Sequence, residues 1–134
     1  MSDVTRKFLV VFLAILVLIV ACNSTNDVKI GAGENGGHMD VRKGQVLVVT
    51  LESNPTTGFR WEVAGATEGI LKQKGESVYL QGNPENDLLG SGGTETFRFD
   101  VVGTGEATLK MIYHRSFEPD TPPAQIYEVA ITAS

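Results

Sequence analysis

Two histidines, a single cysteine and a scatter of carboxylates make up the groups in this chain that could act as acid, base, nucleophile or metal ligand near neutral pH. His38 stands beside Met39 and Asp40 in a turn-like stretch, and His114 ends a strand-like one; neither has a second His or Cys at metal-ligand spacing. Glu85 and Asp87 do not form a calcium-loop pattern, and most Asp and Glu residues fall singly at alternating positions, as on a solvated sheet face. No catalytic or metal-binding constellation emerges, and no cofactor is expected. The distinctive chemistry is that of a constrained surface. In Asn54-Pro55-Thr56-Thr57-Gly58-Phe59, Pro55 fixes φ, the Asn54 side chain can bond to backbone two residues on, and Gly58 permits a conformation that a Cβ disfavours. Such a turn suits the rigid presentation of a few small groups to a partner.

Two further segments keep it company: Leu88-Leu89-Gly90-Ser91-Gly92-Gly93-Thr94-Glu95, and Tyr113-His114-Arg115-Ser116-Phe117-Glu118 followed by Pro119, Pro122 and Pro123. In this order and spacing the three motifs resemble the chagasin family of inhibitors of papain-like cysteine peptidases, over nearly all of the chain after residue 27. The first matches the family's Asn-Pro-Thr-Thr-Gly-aromatic loop at every position. The second matches its Gly-x-Gly-Gly loop at Gly90, Gly92 and Gly93. The third departs from it: Arg115-Ser116-Phe117 stands where the family usually has Arg-Pro-Trp.

The N-terminal end carries a different signal. Arg6 and Lys7 precede an unbroken apolar run of 14 residues from Phe8 to Ala21, followed by Cys22. That run is short for a membrane span and suits the apolar region of a secretory signal. Ile19-Val20-Ala21-Cys22 resembles a bacterial lipobox, which implies a lipoprotein signal peptide over residues 1–21 and acylation of Cys22. An acylated Cys22 cannot serve as a nucleophile. Residues 22–27 then read as the lipidated cysteine and a short tether, and residues 28–134 as the inhibitor domain. The implied location is exported and lipid-anchored: at the outer membrane or periplasmic face in a cell with two membranes, otherwise at the cell surface. Loss of Asp3, Arg6 and Lys7 with such a leader takes the formal charge from −5 to −6, and an acidic body without a basic cluster argues against nucleic acid as partner.

Beyond the tether the apolar period is two, and no long amphipathic helix is evident. Leu47, Val49 and Leu51 share one strand face, as do Phe59, Trp61 and Val63. Phe97, Phe99 and Val101, then Leu109, Met111 and Tyr113, and finally Tyr127, Val129 and Ile131 form three more sets, with Gly103-Thr104-Gly105 as a turn. This predicts an all-β sandwich of about seven or eight strands. The resemblance implies the same architecture, an immunoglobulin-like β-sandwich. It lacks paired cysteines, so packing around Trp61 and the phenylalanines must join the sheets.

The resemblance also implies that the three motifs converge at one end of the sandwich and occlude a peptidase cleft, without covalent chemistry. Asn54, Pro55, Thr56, Thr57, Gly58 and Phe59 would form the central wedge. Leu89, Gly90, Ser91, Gly92 and Gly93 would bring backbone close to the enzyme on one side, and Arg115, Ser116 and Phe117 would grip the other. The expected protein is a monomeric, reversible, tight-binding competitive inhibitor of papain-like cysteine peptidases, and no enzyme. A surface-anchored immunoglobulin-like adhesion module is the alternative, with an uncharacterised hydrolase third.

Overall fold

The computed structural model describes residues 26–65, 69–82 and 92–134. Residues 1–25, with Cys22 and the leader-like segment, lie outside the described residues, as do Leu89, Gly90 and Ser91 of the second motif. The described residues form nine strands: β1 (Asp27–Ile30), β2 (His38–Val41), β3 (Val46–Ser53), β4 (Arg60–Gly65), β5 (Leu71–Gln73), β6 (Val78–Gln81), β7 (Gly93–Val101), β8 (Gly105–His114) and β9 (Gln125–Ala133). Two 3₁₀ turns interrupt them, Ala32–Glu34 and Pro55–Thr57.

The strands make two sheets. One has the order β1-β3-β7-β5, with β6 also pairing β7; the other has the order β2-β9-β8-β4. The long strands pair antiparallel, whereas β1 lies parallel to β3 and β2 parallel to β9. The first stretch of described chain therefore adds an edge to one sheet and then to the other. This is an immunoglobulin-like sandwich, with nine strands where alternation predicts seven or eight. The extra strands are short, three or four residues each, and β6 is exposed at every position, so it carries no alternating signal.

The core is made by the alternating sets. Leu47, Val49 and Leu51 of β3, with Phe97, Phe99 and Val101 of β7, face Leu109 and Met111 of β8 and Val129 and Ile131 of β9, all buried. Burial of each such side chain contributes about 1.5–3 kcal/mol relative to exposure. Three aromatic side chains of the second sheet also carry polar tips to the backbone of the first. The Trp61 indole N–H donates to the Glu52 carbonyl at 2.9 Å, Tyr127 Oη donates to the Gly31 carbonyl at 2.8 Å, and Tyr113 Oη accepts from the Asn54 N–H at 2.9 Å. Their rings pack on one another, with Trp61 and Tyr113 centroids 5.0 Å apart and Trp61 and Tyr127 edge-on at 6.5 Å. Buried rings with satisfied polar tips thus bridge the sheets in place of a disulfide.

Candidate functional site

The Tyr113 bond fixes the start of the first loop. From Asn54 the chain enters a single 3₁₀ turn, with Pro55 at its first position. The turn is closed by Thr57 N–H to the Asn54 carbonyl at 3.2 Å and Gly58 N–H to the Pro55 carbonyl at 3.1 Å. Proline suits this place because its missing N–H has no partner in the first turn and its φ is already helical. The turn stops at Gly58, which adopts φ +82 in the left-handed region that L side chains disfavour. Two side-chain bonds close the loop on itself: Thr56 Oγ1 donates to Asn54 Oδ1 and Thr57 Oγ1 to the Asn54 carbonyl, each at 2.6 Å. Pro55, Thr56 and Thr57 form its exposed crest.

The third motif leans on the first from β8. The Arg115 Nε–H donates to the Thr57 carbonyl at 3.0 Å, its guanidinium carbon lies 4.4 Å from the centroid of the Phe59 ring, and Nη1 is 3.6 Å from a Glu118 carboxylate oxygen. Phe59 in turn stacks on Tyr113 at 5.2 Å. The Phe117 ring covers Gly58: a Cβ at that glycine would sit 3.1 and 3.2 Å from two of its ring carbons. Even so, Phe117 is 69% exposed, leaving most of the ring open to solvent. Ser116 is exposed beside it.

Of the second motif, Gly92 and Gly93 are described, and both sit where backbones crowd. A Cβ at Gly92 would approach the Ser53 carbonyl at 3.3 Å, and one at Gly93 would collide with the Leu80 carbonyl of β6. These glycines let the end of β6 and the start of β7 come close to the base of the first loop. Between them lies an open groove of about 520 Å³, lined by Ser53, Asn54, Gly92, Gly93, Tyr113 and Gln125. The described parts of all three motifs therefore lie at one end of the sandwich. Tyr113 opens the third motif but is not among the contact residues expected from sequence, and Gln125 belongs to no motif. The signal for Tyr113 is a tyrosine closing an inward-facing alternation, where its hydroxyl needs a partner; Gln125 has no such signal.

The other chemistry-bearing residues have local partners. His38 shares a hydrogen bond with Thr132 Oγ1 at 2.7 Å, and His114 pairs with Glu62 across β4 and β8. Among the described residues no group of three His, Cys, Asp or Glu could hold a metal ion. Buried Glu95 accepts a bond from the Ser77 hydroxyl at 2.7 Å.

Comparison with known proteins identifies the family that shares this sequence and fold. The model of the chagasin family of peptidase inhibitors, I42, matches residues 40–131. Chagasin of Trypanosoma cruzi is 31% identical over 110 residues, 79% of this chain and 97% of that protein. Amoebiasin-1 of Entamoeba histolytica is 31% identical over 86 residues, 64% of this chain and 80% of the relative. The crystal structure of a cysteine protease inhibitor from Entamoeba histolytica superposes with a TM-score of 0.72 at 15% identity, covering 81% of this chain and 96% of that one. The chain belongs to the chagasin family of peptidase inhibitors.

These relatives are eukaryotic proteins, which corrects the reading of the N-terminal segment. The bacterial lipoprotein signal peptide and the lipid-anchored address at a bacterial membrane or cell surface do not stand; acylation at Cys22 and the boundary at residue 21 fall outside the described residues. A basic pair, an apolar run and a small residue before cysteine are features of composition, and composition does not identify the machinery that reads it.

Proposed function

We propose that this chain is a reversible, competitive inhibitor of papain-like cysteine peptidases, using the loop end of the sandwich to fill the active-site cleft. The observation that carries this reading is the form of the first loop. Asn54–Gly58 is exposed at its crest yet closed by two backbone and two side-chain hydrogen bonds, so little conformational entropy remains to be lost on binding. A peptidase cleaves a segment it can hold extended, with the carbonyl aligned for attack. The backbone of Pro55–Thr57 is wound into a 3₁₀ turn and does not present that geometry. The loop can occupy the cleft without becoming a substrate.

On either side, Gly92 and Gly93 with residues 89–91 would bring main chain to one wall of the cleft, and Arg115–Phe117 would flank the other. The exposed Phe117 ring is an aromatic surface available there. The chain needs no nucleophile, metal or cofactor for this activity.

Titration of papain with the protein at several substrate concentrations tests the reading. Competitive, reversible loss of activity, with an apparent inhibition constant that rises with substrate, is expected. Absence of inhibition of papain and of cathepsin-like enzymes would leave an immunoglobulin-like binding module as the better description.

A further inference from the structure

The third motif has the composition of an interface anchor, but the guanidinium of Arg115 is already engaged inside the protein. We propose that Arg115 is a positioning residue for the first loop, acting on a peptidase through Thr57 and Phe59 and making no essential contact of its own. The proposal rests on the inhibitory reading of this loop. It concerns how the loop is kept in its binding shape.

Three sides of the guanidinium are occupied. Nε–H meets the Thr57 carbonyl at 3.0 Å, one face lies on Phe59 and Nη1 faces Glu118. The Thr57 carbonyl is at the C-terminal end of the 3₁₀ turn, where the winding of the chain offers no partner for it. Arg115 supplies that partner from 58 residues away in sequence, and in doing so fixes the point where the chain turns left-handed at Gly58. Phe59, pressed between the guanidinium and Tyr113, anchors the far side of the turn. Phe117 completes the arrangement by covering Gly58. The crest Pro55–Thr57 is thus held at its entry by Tyr113 and at its exit by Arg115, while its outer surface stays free.

A positioning role and a contact role leave different kinetic marks. If Arg115 holds the loop, its loss lowers the fraction of inhibitor in the binding-competent shape, which slows association and leaves the completed complex nearly as long-lived. If Arg115 grips the enzyme, its loss mainly speeds dissociation. Lysine separates the two further. Its ammonium keeps the charge but offers neither a planar stack on Phe59 nor a fixed in-plane donor for Thr57.

The experiment follows association and dissociation with papain for the wild type, Arg115→Lys and Arg115→Ala, beside backbone ¹⁵N relaxation of the free proteins. For both variants we expect association to slow by about five- to twentyfold with dissociation changed less than about threefold. In the free proteins, order should fall at Thr56–Phe59 and stay unchanged in β7 and β8. Recovery of wild-type kinetics by Arg115→Lys, or a loss expressed in dissociation, overturns the proposal. Unchanged order at Thr56–Phe59 in the free variants also overturns it. The relaxation measurement decides the matter even if the wild type fails to inhibit papain, an outcome that counts against the inhibitory reading and not against the positioning role.

Discussion

Two 3₁₀ turns carry the chain from the first sheet to the second, and each is held by a tyrosine hydroxyl reaching across from the second sheet. At Ala32–Glu34 the bond is Tyr127 Oη to the Gly31 carbonyl; at Pro55–Thr57 it is the Asn54 N–H to Tyr113 Oη. They differ in what the remaining polar groups do. Around the first turn these groups knit it down. Glu34 accepts from the Gly31 N–H at 2.7 Å, Gly36 N–H donates to the Glu128 carbonyl, and the Asn35 side chain bonds both Ile126 and Glu128 of β9. Around the second, they turn inward onto Asn54 or meet the neighbouring loop at Arg115. One turn is rigid because it is sewn to a strand. The other is rigid while standing clear, which is what a projecting inhibitory wedge requires.

The largest test of this contrast uses pH. Burial, and secondarily the nearby Glu34 carboxylate, push the Tyr127 phenol up from 10.0 to about 12. A raised folded value means that the native state holds the proton more tightly than the unfolded chain does. The stabilisation is complete below pH 10 and is lost as pH rises through 12, by a few kcal/mol at most, on the order of 3, for a shift of this size. Urea unfolding across this range should show the decline in the wild type and a flatter profile in Tyr127→Phe. Parallel profiles would mean that the first turn is not held in this way.

Glycine substitutions come next. Gly36 and Gly58 both have positive φ, at +79 and +82, but a Cβ at Gly36 meets nothing within 4 Å, whereas one at Gly58 meets the Phe117 ring. Gly58→Val should weaken inhibition at least about tenfold, or roughly 1.4 kcal/mol, in a protein that remains folded. Gly36→Ala should lower stability by about 1 kcal/mol through backbone strain and leave the inhibition constant unchanged. Equal effects on inhibition would erase the distinction between the turns.

Removing single hydroxyls gives smaller effects. Tyr113→Phe leaves the Asn54 N–H without its acceptor and should weaken inhibition by about 1 kcal/mol, near fivefold. Tyr127→Phe should cost a similar amount in unfolding at neutral pH and nothing in inhibition. The smallest change is expected from Glu118→Gln, because the pair with Arg115 is partly exposed and spans 3.6 Å. A loss below about 1 kcal/mol, shrinking as salt is added, should appear in the inhibition constant.

The alternating sets were legible because each long strand has one buried face. Leu47, Val49 and Leu51, or Leu109, Met111 and Tyr113, announce an inner face by spacing alone, and the structure places each of them there. β1 and β2 were not legible as strands: with four residues each, they are too short to show a period, and nothing local specifies parallel pairing to β3 and β9. The first loop could be read because Pro55 and Gly58 restrict backbone wherever they occur. The part played by Arg115 could not, since its bond to Thr57 exists only after β4 and β8 align with Arg60 opposite His114.

The parallel placement of β2 beside the last strand has a mechanical consequence. A pull between Asn26 and Ser134 drags β2 and β9 in opposite directions along their shared axis, because they are parallel and the chain enters one at the end opposite to that from which it leaves the other. The hydrogen bonds joining them, continued by Ser134 N–H to the Val41 carbonyl and Lys43 N–H to the Ser134 carbonyl, are then sheared together. Antiparallel hairpin strands pulled apart from their open ends would instead unzip bond by bond. This inhibitor should therefore resist stretching along its length better than its equilibrium stability alone suggests, with resistance concentrated in a seam remote from the end of the sandwich where the Pro55–Thr57 turn projects.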